Sequence, residues 1–344
     1  MNKLRVFDAF SGIGGFRFGL KNSKLFHDSS SFVGYTDSDG LCRKVYSEIF
    51  NCSEEKCFDQ IQDIHTTANP TNEYLPEFDL LLAGFPCQPF SVSGKQLGFE
   101  DARGTLFFEV MRLVSEKRPR AVFLENVANY ARHRNGDTLK RTLSMLGGEG
   151  YRAKYAILNA SDYGVPQARK RLYIVGIRED VVSGEFRFPQ PAGKKVSVRD
   201  ILLPKSKVES TVIVRNDITI TDTNFGKDLG ARSEKPIQIG VINKGGQGER
   251  IYSPEGQGIT LSAHGGGAAA KTGAFLVDGV VRKLHPVECR RMMGFPESFK
   301  IDPRTGQAYK QFGNAVVASV VEAIGKEMLD AAKLKWEQAV LELK

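Results

Sequence analysis

This chain has no apolar run long enough to cross a membrane. It has no Cys-x-x-Cys pair either. Its five cysteines, Cys42, Cys52, Cys57, Cys87 and Cys289, are odd in number and scattered, and its five histidines form no ligand cluster with them. A disulfide framework and a structural zinc are both disfavoured, so no metal is expected and a reducing cytoplasm is the expected setting. The N-terminus leads straight into a strand pattern, Leu4-Arg5-Val6-Phe7, with no signal-peptide pattern before it. No internal repeat is evident. Acidic residues are in deficit: 40 Asp and Glu stand against 48 Lys and Arg, a formal net charge of +8. That excess suits a polyanionic partner, because phosphate contacts dominate nucleic-acid affinity. Many basic proteins bind no DNA, so charge alone decides nothing.

The 344 residues are enough for about two domains of ~100–200 residues each. Hydrophobic content of 41% and charged content of 26% are those of a globular protein. Up to about residue 190, strand and helix patterns alternate, with candidate strands at 4–7, 32–36, 79–83, 121–124, 153–158 and 171–177. This pattern predicts an α/β fold with a doubly wound, mostly parallel sheet. Composition changes near Phe188-Pro189-Gln190-Pro191. Residues 210–285 are rich in Gly, Thr, Ile and Val and predict short strands and turns. From Ala315, the spacing of Val316, Val317, Val320, Val321, Ile324 and Met328 predicts a closing helix.

Five strand ends carry chemistry. The run Asp79-Leu80-Leu81-Leu82-Ala83 ends in Gly84-Phe85-Pro86, and Cys87 follows. Pro86 forces a turn there, and in open α/β sheets ligands bind beyond the carboxyl ends of strands. A thiol in that place is a candidate nucleophile, although a lone cysteine is more often simply buried. Phe10-Ser11-Gly12-Ile13-Gly14-Gly15 follows the first strand, and its glycines let a ligand approach the backbone. Taken alone, such a turn is a weak signal. Asp37 closes the second strand and suits a ribose; equally, it or Asp39 suits a helix N-cap. Asp63 reads as a third strand-end acid, beside the apolar Ile64, suited to an adenine edge. Glu125 closes Ala121-Val122-Phe123-Leu124, on the rim that also takes Cys87. A structural salt bridge would explain Glu125 as well, but a thiol and a carboxyl group on one rim are more specific than either.

These blocks resemble the DNA cytosine-5 methyltransferases of bacterial restriction–modification systems. Phe7 to Gly15, Gly84 to Ser91, Glu125-Asn126-Val127, Gln167 to Arg171 and Gln311 to Val316 occur in the family's order and span nearly the whole chain. In the variable region, Lys244 to Tyr252, Ile259 to Ala263 and Gly265-Gly266-Gly267 resemble the members that read GCGC. The resemblance implies a Rossmann-like catalytic domain formed by 1–195 and 313–344, a small target-recognition domain at 196–285, and a connector at 286–312. It implies S-adenosylmethionine as cofactor, with Phe10 stacking on adenine, Asp37 on the ribose, and Asp63 and Ile64 flanking the base. Gly12, Gly14, Gly15, Leu106 and Asn314 line the rest. Ser38 departs from the tryptophan of the related members.

In catalysis the resemblance assigns the nucleophile to Cys87 and the cytosine N3 edge to Glu125. Arg169 and Arg171 hold the base and its phosphate, although Arg169-Lys170-Arg171 is also simply a charge run. The base is flipped out of the duplex. Gln247 and Ser93 enter the gap, Arg250 reads a guanine, Thr260 meets phosphate, and Ser91, Gly265 and Gly266 complete the DNA surface. His264 and Gln257-Gly258 depart from the related members. Double-stranded DNA is the implied partner. A cognate endonuclease sharing the site without a stable complex, and a cytoplasmic, nucleoid-bound location, are implied with it. Another short DNA target and a tRNA cytosine substrate are the nearest alternatives. A nicotinamide-type oxidoreductase lacks the full Gly-x-Gly-x-x-Gly spacing and leaves Cys87 and the Gln247 loop unexplained. A silent DNA-binding module does not explain Cys87, Glu125, Arg169 and Arg171 together.

Overall fold

The computed structural model describes residues 4–22, 30–67, 74–86, 105–182, 184–191, 194–221 and 234–341. The chain folds as two compact units. The first is Met1–Leu158 with Lys170–Gln190 and Val320–Lys344; the second is Asn159–Arg169 with Pro191–Ser319. The second unit therefore takes in 159–169 and 286–319 besides the stretch 196–285.

The first unit is built on a seven-stranded sheet in the order β3-β2-β1-β4-β5-β8-β6. Its strands are β1 (Leu4–Ala9), β2 (Ser30–Thr36), β3 (Lys56–Phe58), β4 (Leu80–Ala83), β5 (Ala121–Val127), β6 (Tyr151–Asn159) and β8 (Lys170–Arg178). Strands β1 to β5 run parallel, and β8 runs antiparallel to β5. The sheet is thus the doubly wound, mostly parallel one that the α/β pattern predicts. All six expected strands are present with ends moved by up to three residues, and β3 is an addition. Leu80, Leu81, Leu82 and Val122, Phe123, Leu124 are fully buried. Such unbroken apolar runs are what a strand covered on both faces requires. Each such side chain contributes about 1.5–3 kcal/mol on burial.

Around this sheet lie α1 (Gly15–Asn22), α2 (Gly40–Phe50), α3 (Thr105–Lys117) and α4 (Asp137–Gly148). Asp39 is the N-cap of α2, accepting from the Leu41 N–H, and Asn51 closes that helix in the left-handed region at φ 54°. Strand order reverses on either side of β1, so the switch point lies between the carboxyl ends of β1 and β4. That is where an open sheet takes its ligands.

The second unit holds a five-stranded sheet ordered β14-β13-β11-β10-β9 and a two-stranded one, β12-β7. The strands are β7 (Gln167–Ala168), β9 (Ile218–Ile220), β10 (Gln238–Ile242), β11 (Arg250–Tyr252), β12 (Gly258–Ile259), β13 (Ala274–Val277) and β14 (Val280–Lys283). Ile239, Ile242, Ile251 and Ala274 form a small apolar core. Helices α5 (Pro286–Met292) and α6 (Thr305–Asn314) follow. His285 and Glu288 form a capping box at α5, and Glu288 is fully buried in a two-pronged pair with Arg282, both bonds 2.8 Å. The same carboxylate accepts from the Leu203 N–H, tying strand, helix and loop together.

The last helix, α7, runs Ala318–Leu341, three residues later than the pattern from Ala315 predicts. Ala315 is extended, at ψ 152°, because it caps α6 through its N–H to the Gln311 carbonyl. Val320, Val321, Ile324 and Met328 are buried, as their spacing requires.

Candidate active site and DNA-reading surface

The rim of the first unit is assembled from strand ends. Phe10 leaves β1 at φ 55°, and Gly12 and Gly14 follow at φ 54° and 85°. A Cβ on Gly14 would run into the Phe50 ring, so both the left-handed backbone and the lack of space demand glycine there. The Ser11 N–H donates to the Thr36 carbonyl at 2.9 Å, closing the turn onto β2. Asp37, at the end of β2, accepts from the Gly12 N–H and from the Asp39 N–H, both at 2.8 Å. Burial pushes its carboxyl up from the ordinary range, and those two N–H donors act against the shift. Asp39 rather than Asp37 is the helix cap, which leaves Asp37 at the turn.

Asp63 is not at a strand end. It closes a single 3-10 turn, Ile61–Asp63, because β3 stops at Phe58 and the chain turns to bury Ile61 and Ile64. The Asp63 side chain is exposed. Phe10 and Leu106 are both partly buried against the main core of this unit. Ser38 is exposed.

On the other side of the switch point, β4 runs into Gly84-Phe85-Pro86. Phe85 is buried against Phe107 and Tyr130, with ring centroids 5.5 and 5.7 Å away. Asn126, 2% exposed, donates to the Phe85 carbonyl at 3.2 Å and accepts from the Val127 N–H at 2.9 Å. Cys87, Ser91 and Ser93 lie outside the described residues. Glu125 lies two residues before the end of β5, which runs on to Val127, and its Oε1 lies 3.1 Å from the Arg171 Nε. The antiparallel register sets Arg171 opposite Val127. Arg171 therefore reaches Glu125 diagonally on one face of the sheet.

Arg169 has different surroundings. In the second unit it is buried at 3% and donates to the carbonyls of Leu261, Gly313 and Ala315 at 2.9–3.0 Å. The side chain therefore ties β7 to the segments on either side of Asn314. Asn314 itself is exposed at the end of α6. Gly313 lies against the Ser262–Ala263 backbone with no room for a Cβ.

Three residues of the second unit expected to meet DNA, Gln247, Arg250 and Thr260, share one surface cavity. Gln247, Gly248, Arg250, Tyr252, Ile259 and Thr260 line a space of about 380 Å³. Gln247 and Arg250 are exposed. The Thr260 hydroxyl donates to the Ala168 carbonyl at 2.7 Å. Gly248 and Gly266 meet backbone to backbone, and the Ala269 N–H donates to the Gly248 carbonyl at 2.8 Å. Glu249 braces the loop, accepting from the Gly246 N–H at 3.0 Å and from Asn243 Nδ2 at 3.1 Å. Sequence reasoning passed over Tyr252 and Ile259. The signal was present for Tyr252, since Arg250 and Tyr252 are two apart on β11 and share a face.

The model of the family described as C-5 cytosine-specific DNA methylase matches residues 4–330. The chain belongs to that family. It is a DNA (cytosine-5-)-methyltransferase. The methyltransferase is 45% identical over 321 residues to Type II methyltransferase M.HhaI of Haemophilus parahaemolyticus, covering 93% of each chain. It is 34% identical to Type II methyltransferase M.HaeII of Haemophilus aegyptius, over 97% of this chain and 95% of that one. Among solved structures, its fold is similar to the Entamoeba histolytica methyltransferase EhMeth. That likeness has a TM-score of 0.70 at 18% identity and covers 96% of this chain and 99% of the other. No described helix is long and apolar enough to cross a membrane.

Proposed function

We propose that this methyltransferase moves a methyl group from S-adenosylmethionine to C5 of a cytosine flipped out of duplex DNA. The proposed target is the inner cytosine of GCGC, and the proposed setting is a restriction–modification system in the bacterial cytoplasm. There the protein sits on nucleoid DNA, and a cognate endonuclease acts on the same site without a stable complex. The observation that carries this reading is the Glu125–Arg171 pair on the rim beside the strand end that leads into Cys87.

In this scheme the Cys87 thiolate adds to C6 of the cytosine. Glu125 holds N3 and the amino edge and keeps a proton at N3 as negative charge builds in the ring. Arg171 orients Glu125, Arg171 and Arg169 meet the base and its phosphate, and Arg169 also braces the backbone on either side of Asn314. The C6 adduct makes C5 nucleophilic, so C5 takes the methyl group. A base, a role that water can fill, then takes the C5 proton, and the electron pair left behind re-forms the C5–C6 double bond and expels Cys87 as the thiolate.

The first unit fits the cofactor by its own chemistry. A largely buried carboxylate beside a left-handed glycine turn suits a ribose and an amino-acid tail, and the partly buried Phe10 offers an apolar face for adenine. When bound, the cofactor supplies an activated methyl on sulfonium. Asp37 would hold the ribose, Asp63 and Ile64 the adenine edge, and Gly12, Gly14, Gly15, Leu106 and Asn314 the remainder. We assign 1–195 and 313–344 to catalysis, 196–285 to target reading and 286–312 to the connection.

Extrusion of the base leaves an orphan guanine, which Gln247 and Ser93 fill from opposite sides. Arg250 reads a guanine, Thr260 meets the backbone, and Ser91, Gly265 and Gly266 complete the surface. The shared cavity of Gln247, Arg250 and Thr260 supports this division of roles. The test is to incubate plasmid DNA with protein and S-adenosylmethionine and map 5-methylcytosine at base resolution. Methylation confined to the inner cytosine of GCGC is the expected result. Methylation at another motif removes the GCGC assignment, and none on DNA alongside methylation of tRNA removes the substrate class.

A further inference from the structure

Beneath the glycine turn lies a buried polar group that the mechanism above does not use. Tyr46 of α2 is fully buried, and its hydroxyl donates to Asp8 Oδ2 at 3.1 Å. Asp8 lies in β1, two residues before Phe10, where the chain enters the turn. The edge of the same Tyr46 ring lies 3.1 Å from where a Cβ on Gly14 would stand, and Gly14 is where the chain leaves the turn. One side chain thus bonds the strand that leads into the turn and packs close to Gly14 at its far end.

The ring has little freedom. It stacks on Tyr35 at 4.3 Å between centroids and meets Phe50 edge-on at 4.9 Å. Arg17 lies over the Phe50 and Phe32 rings at 4.5 and 4.2 Å, and its Nη1 is 3.4 Å from the Tyr46 hydroxyl. Glu55 fixes that guanidinium with two bonds of 2.6 Å. Asp8 Oδ1 has no hydrogen-bond partner among the described residues, so among them the tyrosine hydroxyl is the anchor of its carboxyl. Packing sets the ring's plane, and the hydroxyl bond sets its depth.

We propose that Tyr46, through Asp8, is a positioning residue for the cofactor-binding turn Phe10–Gly14. The proposal rests on the assignment of S-adenosylmethionine to that turn. Tyr46 touches no ligand; it holds the backbone that does. Tyr46→Phe keeps the ring wall and removes the tether, and Asp8→Ala removes the tether from the other end.

The experiment measures S-adenosylmethionine binding by calorimetry, duplex binding by anisotropy, and steady-state methylation. It uses wild type, Tyr46→Phe, Asp8→Ala, the double variant, and Asp37→Ala as a probe of the ribose site. The two single variants should each weaken cofactor binding about tenfold. The double variant should also lose about tenfold, not a hundredfold, because the pair acts as a unit. Duplex affinity should stay at the wild-type value, and the loss should appear in the KM for cofactor rather than in kcat. A lower melting temperature for Tyr46→Phe with wild-type cofactor affinity would overturn the proposal, as would additive losses. If Asp37→Ala still weakens the cofactor in that case, the cofactor assignment stands and only the Tyr46 proposal fails. Wild-type protein that binds no S-adenosylmethionine overturns both.

Discussion

Asp8→Asn should change how stability depends on pH, and the structure sets the size and direction. Asp8 is fully buried in β1 with a hydroxyl on one oxygen and none on the other. Burial pushes its carboxyl up from 3.8 to about 7; Tyr46 and Arg17 pull it down, and Asp37 and Glu55 push it up. Below about pH 4 the carboxyl is protonated in both folded and unfolded chains, and its ionisation costs nothing. Between about pH 4 and 7 the unfolded chain gives up the proton while the folded chain keeps it, so stability falls as pH rises. Above about pH 7 both forms are ionised and the cost is constant.

At 1.36 kcal/mol per tenfold, a pKa moved from 3.8 to about 7 corresponds to about 4 kcal/mol. Water entering around the charge brings the expected figure to about 2–4 kcal/mol. Asparagine keeps the acceptor for Tyr46 and cannot ionise. Its amide group lacks a partner at the second oxygen's position, a cost of about 1–3 kcal/mol at every pH. The readout is therefore the difference in slope, since the other titrating groups cancel between the two proteins. Urea unfolding should be followed by circular dichroism from pH 4.5 to 8.5, with hydrogen exchange on the β1 peptide to localise the effect to the first unit. Wild type should lose about 1–2 kcal/mol relative to Asp8→Asn across pH 5–7, the share of the whole that falls in that window. Parallel curves for the two proteins would refute the reasoning.

Arg282→Met leaves the fully buried Glu288 carboxylate without its partner and should cost about 3–5 kcal/mol in the second unit, while Arg282→Met with Glu288→Leu should cost less; paired thermal melts check this. Arg250→Ala should lose about 1–3 kcal/mol of discrimination at one guanine, measured by methylation of single-base mismatches of GCGC. Gln247→Ala should instead reduce the fluorescence of 2-aminopurine placed at the target, because the orphan guanine loses its partner and the flipped state is less populated.

Strands whose residues are all apolar were legible without a structure. Leu80–Ala83 and Ala121–Leu124 read as covered strands because every position in them is buried. Lys56-Cys57-Phe58 did not read as a strand: three residues with one buried position carry no period, and only pairing with β2 makes them one. The same limit applies to Asp63, whose 3-10 turn is set by where Ile61 and Ile64 are buried rather than by any strand-end pattern.

At the site, single residues at strand ends were legible, and their partnerships were not. Asp37 and Asp39 both read as cap or ligand; hydrogen bonds from Gly12 and Leu41 separate the two roles. Arg169 and Arg171 look alike in a charge run. One is buried among three carbonyls and the other faces Glu125, because β7 ends just before Arg169 and β8 begins just after it. The Asp8–Arg17–Tyr46–Glu55 group joins residues up to 47 positions apart, a distance at which no local spacing rule operates.

The central claim is covalent attack on cytosine by Cys87, and trapping tests it most directly. Duplex DNA carrying 5-fluorocytosine at the inner position of GCGC should be incubated with the protein and S-adenosylmethionine. Fluorine replaces the C5 proton whose loss normally releases the enzyme, so the adduct persists. Peptide mass spectrometry should find the methylated base attached to Cys87, and Cys87→Ser should give no adduct while still binding the duplex. An adduct on Cys42, Cys52, Cys57 or Cys289, or an unchanged yield from Cys87→Ser, would contradict the account.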